Sequence, residues 1–215
     1  MSSRMGRGPG RPPGREPSSR ELLLDVAAAQ ITASRSTNLS VRQLTRDAEV
    51  TPALLHYYFG DVAGLLDCLL RERGETLLRP LREDLQASTP DAGARLSRFV
   101  QRWSSLLARH PWLLPCLLRS SGEPQSDAKL AADLRTVVTQ AQREGAVRTD
   151  LPDHYVAMLL LLLGALPQFC GTGLGTDLTL SADPAAAAQL TLLHLSVLQQ
   201  GIAAPVHSPC HDAVS

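Results

Sequence analysis

Apolar residues recur every three or four positions along most of the chain, which is the period of an amphipathic α-helix. The spacing is first seen at Leu23, Ala27 and Ile31. It returns in segments 62–85, 94–110, 112–119, 127–144, 150–169 and 184–200. Strand-like alternation is not sustained anywhere along the sequence. The pattern therefore predicts an all-α fold of about nine helices, counting two short ones between residues 40 and 59.

Polar residues with capping spacing mark two of the helix starts. Ser18 with Glu21, and Ser40 with Gln43, stand three positions apart. In a capping box of this spacing, each side chain binds a backbone amide that the first helical turn leaves unpaired. We expect helices to begin at both serines.

A further short helix is signalled directly after the one that begins at Ser40. Thr51-Pro52 combines a hydroxyl N-cap with proline at the first helical position, and Gly60-Asp61 ends the apolar segment that follows. Two short helices so close together predict a helix-turn-helix, whose second helix can enter a DNA major groove. DNA binding is therefore the leading hypothesis.

The charge distribution agrees with a basic reader joined to a different kind of body. The formal net charge is zero, but residues 1–60 carry eight arginines against five acidic residues. Residues 1–17, rich in Gly, Pro and Arg, are predicted to be a disordered basic arm. A flexible tail is predicted at 202–215. Lysine occurs once, at Lys129, and this arginine bias is typical of a GC-rich bacterial genome.

Other functional classes leave no clear motif in the sequence. There is no phosphate-binding loop, dinucleotide fingerprint, nucleophile elbow or metal-ligand spacing, so we expect neither an enzyme nor a cofactor or metal site. Cys68, Cys116, Cys170 and Cys210 are far apart, which favours free thiols in a reducing cytoplasm over a redox-sensing pair. No signal peptide is visible, and the apolar run 155–166 is shorter than the ~20 residues that cross a bilayer. We expect a cytoplasmic protein without membrane contact.

Segment 20–66 resembles the N-terminal domain of TetR-family transcriptional repressors. The resemblance is carried by the run TPALLHYYF at 51–59, the run GDVAGLL at 60–66, and by Leu23, Ala27, Ile31, Val41, Leu44, Ala48 and Val50. It implies a three-helix DNA-binding head at 18–66 and a larger helical body at 67–201 that binds an effector and dimerises. The implied protein is a repressor that binds a palindromic operator as a homodimer.

Within this head, the residues that are not needed for the core are candidate contacts to double-stranded DNA. Leu55 and Phe59 have core spacing in the third helix. The remaining candidates are Thr51, Pro52, Ala53, Leu54, His56, Tyr57 and Tyr58. Hydroxyls can bind phosphates, apolar groups can contact thymine methyls, and His56 or Tyr58 can bind a base edge or a phosphate. For Tyr57, packing against the first helix is the equal alternative.

Arginines outside this helix are candidate backbone contacts. Arg42 and Arg46 on the second helix can bind phosphates, and Arg42 is favoured because it lies near the helix start. Arg11 in Gly10-Arg11-Pro12 resembles the core of an AT-hook, whose arginine enters a narrow minor groove.

Three positions depart from the common family pattern. Glu49 stands where a glycine with positive φ is frequent, at a cost near 1 kcal/mol. Val62 stands where a lysine commonly binds a phosphate, and the order His56-Tyr57-Tyr58 is unusual. A helical protein-interaction module without specific DNA binding is therefore the alternative function.

The body is expected to supply the dimer interface and an effector pocket. By the resemblance, helices at about 153–170 and 184–200 pair with their copies. The pocket candidates are Trp103, His110, Trp112, Cys116 and Phe169. Since few charges interrupt these helices' apolar faces, the small-molecule effector should be apolar or aromatic. The alternative is that these side chains are ordinary core.

Overall fold

The computed structural model describes residues 18–87, 91–119 and 127–169, together with Ser196 and Gly201. The helices run in chain order α1 Ser19–Ser34, α2 Val41–Asp47, α3 Pro52–Phe59, α4 Val62–Leu69, α5 Glu75–Gln86, α6 Ala92–Arg109, α7 Leu113–Arg119, α8 Asp127–Arg143 and α9 Asp153–Phe169. A π-helical turn, Leu70–Gly74, joins α4 to α5. These residues contain no strand, and the all-α prediction is confirmed. The predicted arm, the tail and nearly all of segment 184–200 lie outside the described residues.

The helices α1 to α4 form the head around one apolar core. Its fully buried side chains are Leu23, Leu24, Ala27, Ile31, Leu44, Leu55 and Leu65. The first four lie at three- and four-residue spacings on one face of α1, and the leucines of α2, α3 and α4 pack against that face. Phe59 is buried as the sequence predicts. Ala48 is also buried, whereas Val41 and Val50 are half-buried at the edge.

Only one of the two predicted capping boxes forms. Ser18 accepts from the Glu21 amide at 3.3 Å, and the Ser18 amide donates to the Glu21 carboxylate at 2.9 Å. At α2 the prediction is wrong, because Ser40 makes no side-chain cap and its carbonyl oxygen accepts from the Gln43 amide instead. The hydroxyl cap predicted at Thr51 does not form either, although Pro52 does stand at the first position of α3. Asp61 does cap α4, accepting from the Gly64 amide at 2.7 Å.

The body is a layered packing of α5, α6, α8 and α9. The long helix α6 contacts the other three and buries Phe99, Val100, Trp103 and Leu107. Buried Arg95 on α6 donates to the carbonyl oxygens of Leu85 and Ala87 at the end of α5, and to Gln140 on α8. These bonds satisfy carbonyls that α5 leaves unpaired, so Arg95 ties three helices together.

Helix α8 ends in a turn that contains a glycine with positive φ. Gly145 has φ 74°, its amide donates to the Gln142 carbonyl oxygen at 3.1 Å, and the Ala146 amide donates to the Ala141 carbonyl oxygen at 2.9 Å. This pair of bonds is the Schellman motif, in which glycine accommodates the left-handed backbone at least cost.

The head joins the body through α4 and the π-turn. Glu72 in the turn pairs with Arg20 on α1, with one bond of 2.9 Å, and Arg73 pairs with Asp25 on α1 at 2.6 Å. The Arg20 guanidinium also lies 5.3 Å from the centroid of the Phe59 ring, a cation–π distance. The turn is therefore fixed to α1 and, through Arg20, to the end of α3.

Within the described residues, no single helix is long and apolar enough to cross a membrane. The segments Pro52–Phe59 and Val62–Gln86 are together long and apolar enough, but the chain bends by 58° between them.

Candidate nucleic-acid interface

The turn between α2 and α3 sets the angle at which α3 leaves the head. The Glu49 amide donates to the Arg46 carbonyl oxygen at 3.1 Å, and the Val50 amide donates to the Thr45 carbonyl oxygen at 2.9 Å. Glu49 has φ 54°, so the turn is a Schellman motif with glutamate at the position that usually holds glycine. The positive φ expected from the sequence is confirmed.

Helix α3 has a buried side and an exposed side. Leu55 and Phe59 face the core, and Leu54 is half-buried beside them. The exposed residues are Thr51, Pro52, Ala53, His56, Tyr57 and Tyr58. Ala53, His56 and Tyr57 are spaced i, i+3 and i+4, so they form one stripe, which we call the reading stripe.

The two tyrosines of α3 differ from each other in exposure. Tyr57 is 80% exposed and Tyr58 only 37% exposed. The Tyr58 ring lies edge-on between neighbours, 5.2 Å from the Tyr57 ring and 6.2 Å from the buried Phe59 ring between centroids. The alternative that Tyr57 packs against α1 is therefore wrong; it projects from α3, while Tyr58 lies partly against the head.

The imidazole of His56 is held at the end of α3. Its Nδ1 atom lies 2.6 Å from the carbonyl oxygen of Gly60, a residue with φ 79°. A carbonyl oxygen only accepts, so Nδ1 carries the hydrogen. The ring remains exposed.

The arginines that are candidate contacts to the DNA backbone differ in whether they are paired with another side chain. Arg42 is exposed one residue after the start of α2, whereas the exposed Arg46 has its Nε atom 3.2 Å from Asp47 Oδ1. Arg42 is therefore the better placed of the two for a phosphate. Arg11 lies outside the described residues, and the side chain of the half-buried Val62 has no group that could bind a phosphate.

The pocket candidates lie in two places in the body. Trp103 is buried between α6 and α9, and its indole N–H donates to the Leu161 carbonyl oxygen at 3.0 Å. Trp112 and Cys116 are buried around α7, with His110 half-buried just before it. The side chain of Phe169 lies outside the described residues.

Burial also shapes the chemistry of two of these groups. Burial raises the pKa of the Cys116 thiol to about 12, so the thiol stays protonated at neutral pH. Burial, and to a lesser degree Arg109, lowers the pKa of His110. Both groups are therefore neutral at neutral pH, as an apolar pocket or an ordinary core would require.

Long-range partners of the head could not be found from the sequence. The Arg20–Glu72 pair spans 52 positions and Arg73–Asp25 spans 48, and neither follows from helical spacing. The His56–Gly60 contact does have a signal, since an i, i+4 pair at a helix end brings a side chain beside a free carbonyl.

Comparisons with known proteins point to one family, although no family model matches. The HTH-type transcriptional regulator BetI of Brucella suis is 38% identical over 85 residues, or 40% of this chain and 41% of the relative. BetI of Brucella anthropi is 39% identical over 73 residues, 34% of this chain and 36% of the relative. The chain therefore spans about two fifths of the length of the curated relatives it matches.

Solved structures extend the similarity to most of the chain. The ketosteroid transcriptional regulator KstR2 of Mycobacterium tuberculosis superposes with a TM-score of 0.64 at 20% identity, over 90% of this chain and 99% of that one. The TetR family protein CprB of Streptomyces coelicolor has a TM-score of 0.60 at 21% identity, over 87% and 90%. A TetR-family regulator of Pectobacterium atrosepticum has a TM-score of 0.55 at 20% identity, over 86% and 94%.

The chain has the TetR-family fold. The fold that the resemblance of segment 20–66 implies is therefore confirmed.

The TetR-like head also explains what its unusual residues cost. The Schellman turn is kept although Glu49 replaces glycine, because its two backbone bonds are made by amides that any residue supplies. Val62 is half-buried against the core of the head, so the substitution exchanges a cation for apolar packing. The fold tolerates both residues, and the exposed Glu49 side chain also changes the charge of the surface beside α3.

Proposed function

We propose that this chain is a sequence-specific DNA-binding transcriptional regulator, acting as a repressor on a palindromic operator. The observation that carries the proposal is the reading stripe: a tyrosine 80% exposed, beside an exposed histidine and alanine, on a helix that a Schellman turn fixes to the head. A large exposed aromatic adds nothing to folding and supplies contact area for a groove. Residues 18–66 would form the reading domain.

The test is selection of bound fragments from the genome or from a random duplex library, followed by binding titrations at several salt concentrations. We expect saturable binding to one palindromic sequence, weakening as salt rises because phosphate contacts release counterions. Arg42→Ala should weaken binding to all sequences alike and reduce the salt slope by about one. The absence of any sequence selectivity in this titration would overturn the proposal.

The same titration tests the alternative function. Exposed Glu49 places a negative charge beside the reading helix, and Val62 supplies no phosphate contact. Both features favour a helical interaction module without specific DNA binding. That module would show no selectivity even with Glu49→Gly and Val62→Lys together, whereas a regulator should gain affinity from this pair of changes.

Dimerisation would use an apolar stripe on α9. Tyr155, Met158, Leu159 and Leu162 are between 39% and 53% exposed and stand at i, i+3, i+4 and i+7. A stripe of this kind on a helix otherwise packed into the core is suited to a second copy of the chain. Segment 184–200 is the proposed second half of the interface.

Light scattering during size-exclusion chromatography tests the dimer. Met158→Glu with Leu162→Glu should give a monomer, because two carboxylates would lose their hydration in the interface. Leu118→Glu on α7, where the leucine is also exposed, is the matched control and should remain dimeric. A wild-type monomer at micromolar concentration would contradict the assignment.

Release from the operator would follow binding of a small apolar or aromatic effector near α7. The support is a continuous set of contacts: Arg119 on α7 pairs with Asp67 on α4 at 3.2 Å, and Leu113 on α7 packs near Gly74 in the π-turn. The turn in turn holds α1 through Glu72 and Arg73. A shift of α7 would therefore reach the head through α4.

Intrinsic fluorescence is a direct assay for such an effector. The chain has two tryptophans, Trp103 and Trp112, and both are pocket candidates. A panel of apolar and aromatic compounds should include one that changes the emission saturably and lowers operator affinity in the same concentration range. A compound that changes emission without changing operator affinity would be a core ligand and not an effector.

A further inference from the structure

The hydrogen on Nδ1 of the His56 ring is already used in a hydrogen bond within the protein. Nδ1 donates to the Gly60 carbonyl oxygen across 2.6 Å. In the neutral ring only one nitrogen carries hydrogen, so Nε2 presents a lone pair. In the neutral ring, the exposed end of His56 is therefore a hydrogen-bond acceptor.

This acceptor excludes one of the two roles open to His56. Phosphate oxygens accept hydrogen bonds and donate none, so a neutral Nε2 has nothing to bind on the DNA backbone. Base edges do offer donors in the major groove, at the amino groups of adenine and cytosine. The keto oxygens of guanine and thymine would face the lone pair and be rejected.

His56 stands at the centre of the reading stripe, between Ala53 and Tyr57. No Arg, Lys, Asn, Gln, Asp or Glu occurs in Pro52–Phe59. The side chains that usually bind guanine or adenine in bidentate fashion are thus missing from α3. Ala53 offers only a methyl group, and a tyrosine hydroxyl can either donate or accept. The neutral His56 ring can only accept at its exposed nitrogen, so among these side chains it distinguishes most sharply between donor and acceptor groups on a base.

We infer that His56 is a specificity-determining residue that selects an amino base, adenine or cytosine, over a keto base, guanine or thymine, at one position of each operator half-site. The inference rests on the proposed function, because it assumes that α3 enters the major groove. It names which base chemistry α3 recognises there.

The experiment is selection from a random duplex library on the basic side of neutrality, at about pH 8. Wild type is compared with His56→Ala, which removes the acceptor, and with His56→Lys, which replaces it by a donor. Gln101→Ala, an exposed change on α6, is the matched control. Thermal unfolding of each variant checks that the head stays folded without the Gly60 contact.

Wild type should prefer an amino base at one symmetric pair of positions by about three- to tenfold, as one hydrogen bond supplies. His56→Ala should flatten that position alone, His56→Lys should convert it to a keto base, and Gln101→Ala should leave it unchanged. A wild-type preference for guanine or thymine there, or an unchanged sequence preference in both His56 variants, would overturn the inference. A uniform loss of affinity in His56→Ala would also overturn it, since that is the signature of a phosphate contact. A wild type that selects no sequence at all would instead overturn the proposed function.

Discussion

Glu49 occupies a backbone conformation that favours glycine, and its side chain is exposed beside the reading helix. At φ 54° a residue with a Cβ atom loses about 1 kcal/mol relative to glycine. Glu49→Gly should therefore raise the free energy of unfolding by about 0.5–1 kcal/mol, with part of the gain offset by the freer unfolded chain. Urea unfolding measures it.

Two controls separate the backbone of Glu49 from its charge. Glu49→Ala keeps the Cβ atom and should not stabilise the head, while Glu49→Gln removes the charge alone. If alanine stabilises the protein as much as glycine does, the strain at this position is not what limits stability.

Gly164 on α9 permits the close approach of Trp103. A Cβ atom at residue 164 would lie 2.4 Å from the indole Cδ1 atom. Because the indole is buried and bonded to Leu161, it has little room to move. Gly164→Ala should lower the free energy of unfolding by about 1–3 kcal/mol, as overpacking does.

Gly201→Ala is the control for that change, since a Cβ atom there would meet no atom of the described residues within 4 Å. It should be neutral, or slightly stabilising because alanine favours helix. Equal effects of the two substitutions in thermal unfolding would show that the Trp103 contact is not the cause.

At the scale of the helix, the start of α4 depends on a side-chain cap and the start of α2 does not. Asp61 binds the Gly64 amide at 2.7 Å, whereas Ser40 makes no side-chain cap. Asp61→Ala should cost about 1 kcal/mol and Asp61→Asn much less, because asparagine keeps the acceptor. Ser40→Ala should cost less than Asp61→Ala; the reverse order in urea unfolding would contradict the assigned caps.

The sequence predicted the helices well where spacing alone decides. The core of the head at Leu23, Ala27 and Ile31 follows from period, and Ser18 with Glu21 follows from capping spacing. The same spacing failed at Ser40, because the cap depends on side-chain rotation that a spacing rule does not contain.

Side-chain direction within α3 was also beyond the sequence. Two adjacent tyrosines have the same local pattern, and only packing against Phe59 separates the half-exposed Tyr58 from the projecting Tyr57. The acceptor state of His56 likewise needed the Gly60 carbonyl oxygen in place.

At the scale of the whole molecule, the head and the body share charged contacts. Hydrogen bonding to Arg20, together with its charge, lowers the pKa of Glu72 against a smaller opposing effect of burial. Because its pKa is lowered, the ionised carboxylate stabilises the fold at pH values above the ordinary pKa of 4.5. This stabilisation is lost as the pH falls through the pKa of the folded state. The link between α1 and the π-turn should therefore weaken only in acid.

His110 gives the whole molecule a pH dependence nearer neutrality. Its folded pKa lies below the ordinary value of 6.5, so the unfolded chain binds the proton more tightly. The free energy of unfolding should therefore decrease as the pH drops below about that value. In the His110→Asn variant this decrease should be smaller. Urea unfolding of both proteins at pH ~7.5 and ~5.5 measures the difference. Identical losses of stability on acidification would contradict the statement that burial disfavours the protonated His110 ring.

The central claim is that a TetR-like head reads DNA through the exposed stripe of α3. The most direct test is an equilibrium titration of the full chain against its selected operator and a scrambled duplex, over a series of salt concentrations. The account predicts saturable binding to the operator at least 10³-fold tighter than to the scrambled duplex, with both affinities falling as salt rises. Equal affinity for the two duplexes at every salt concentration would contradict it.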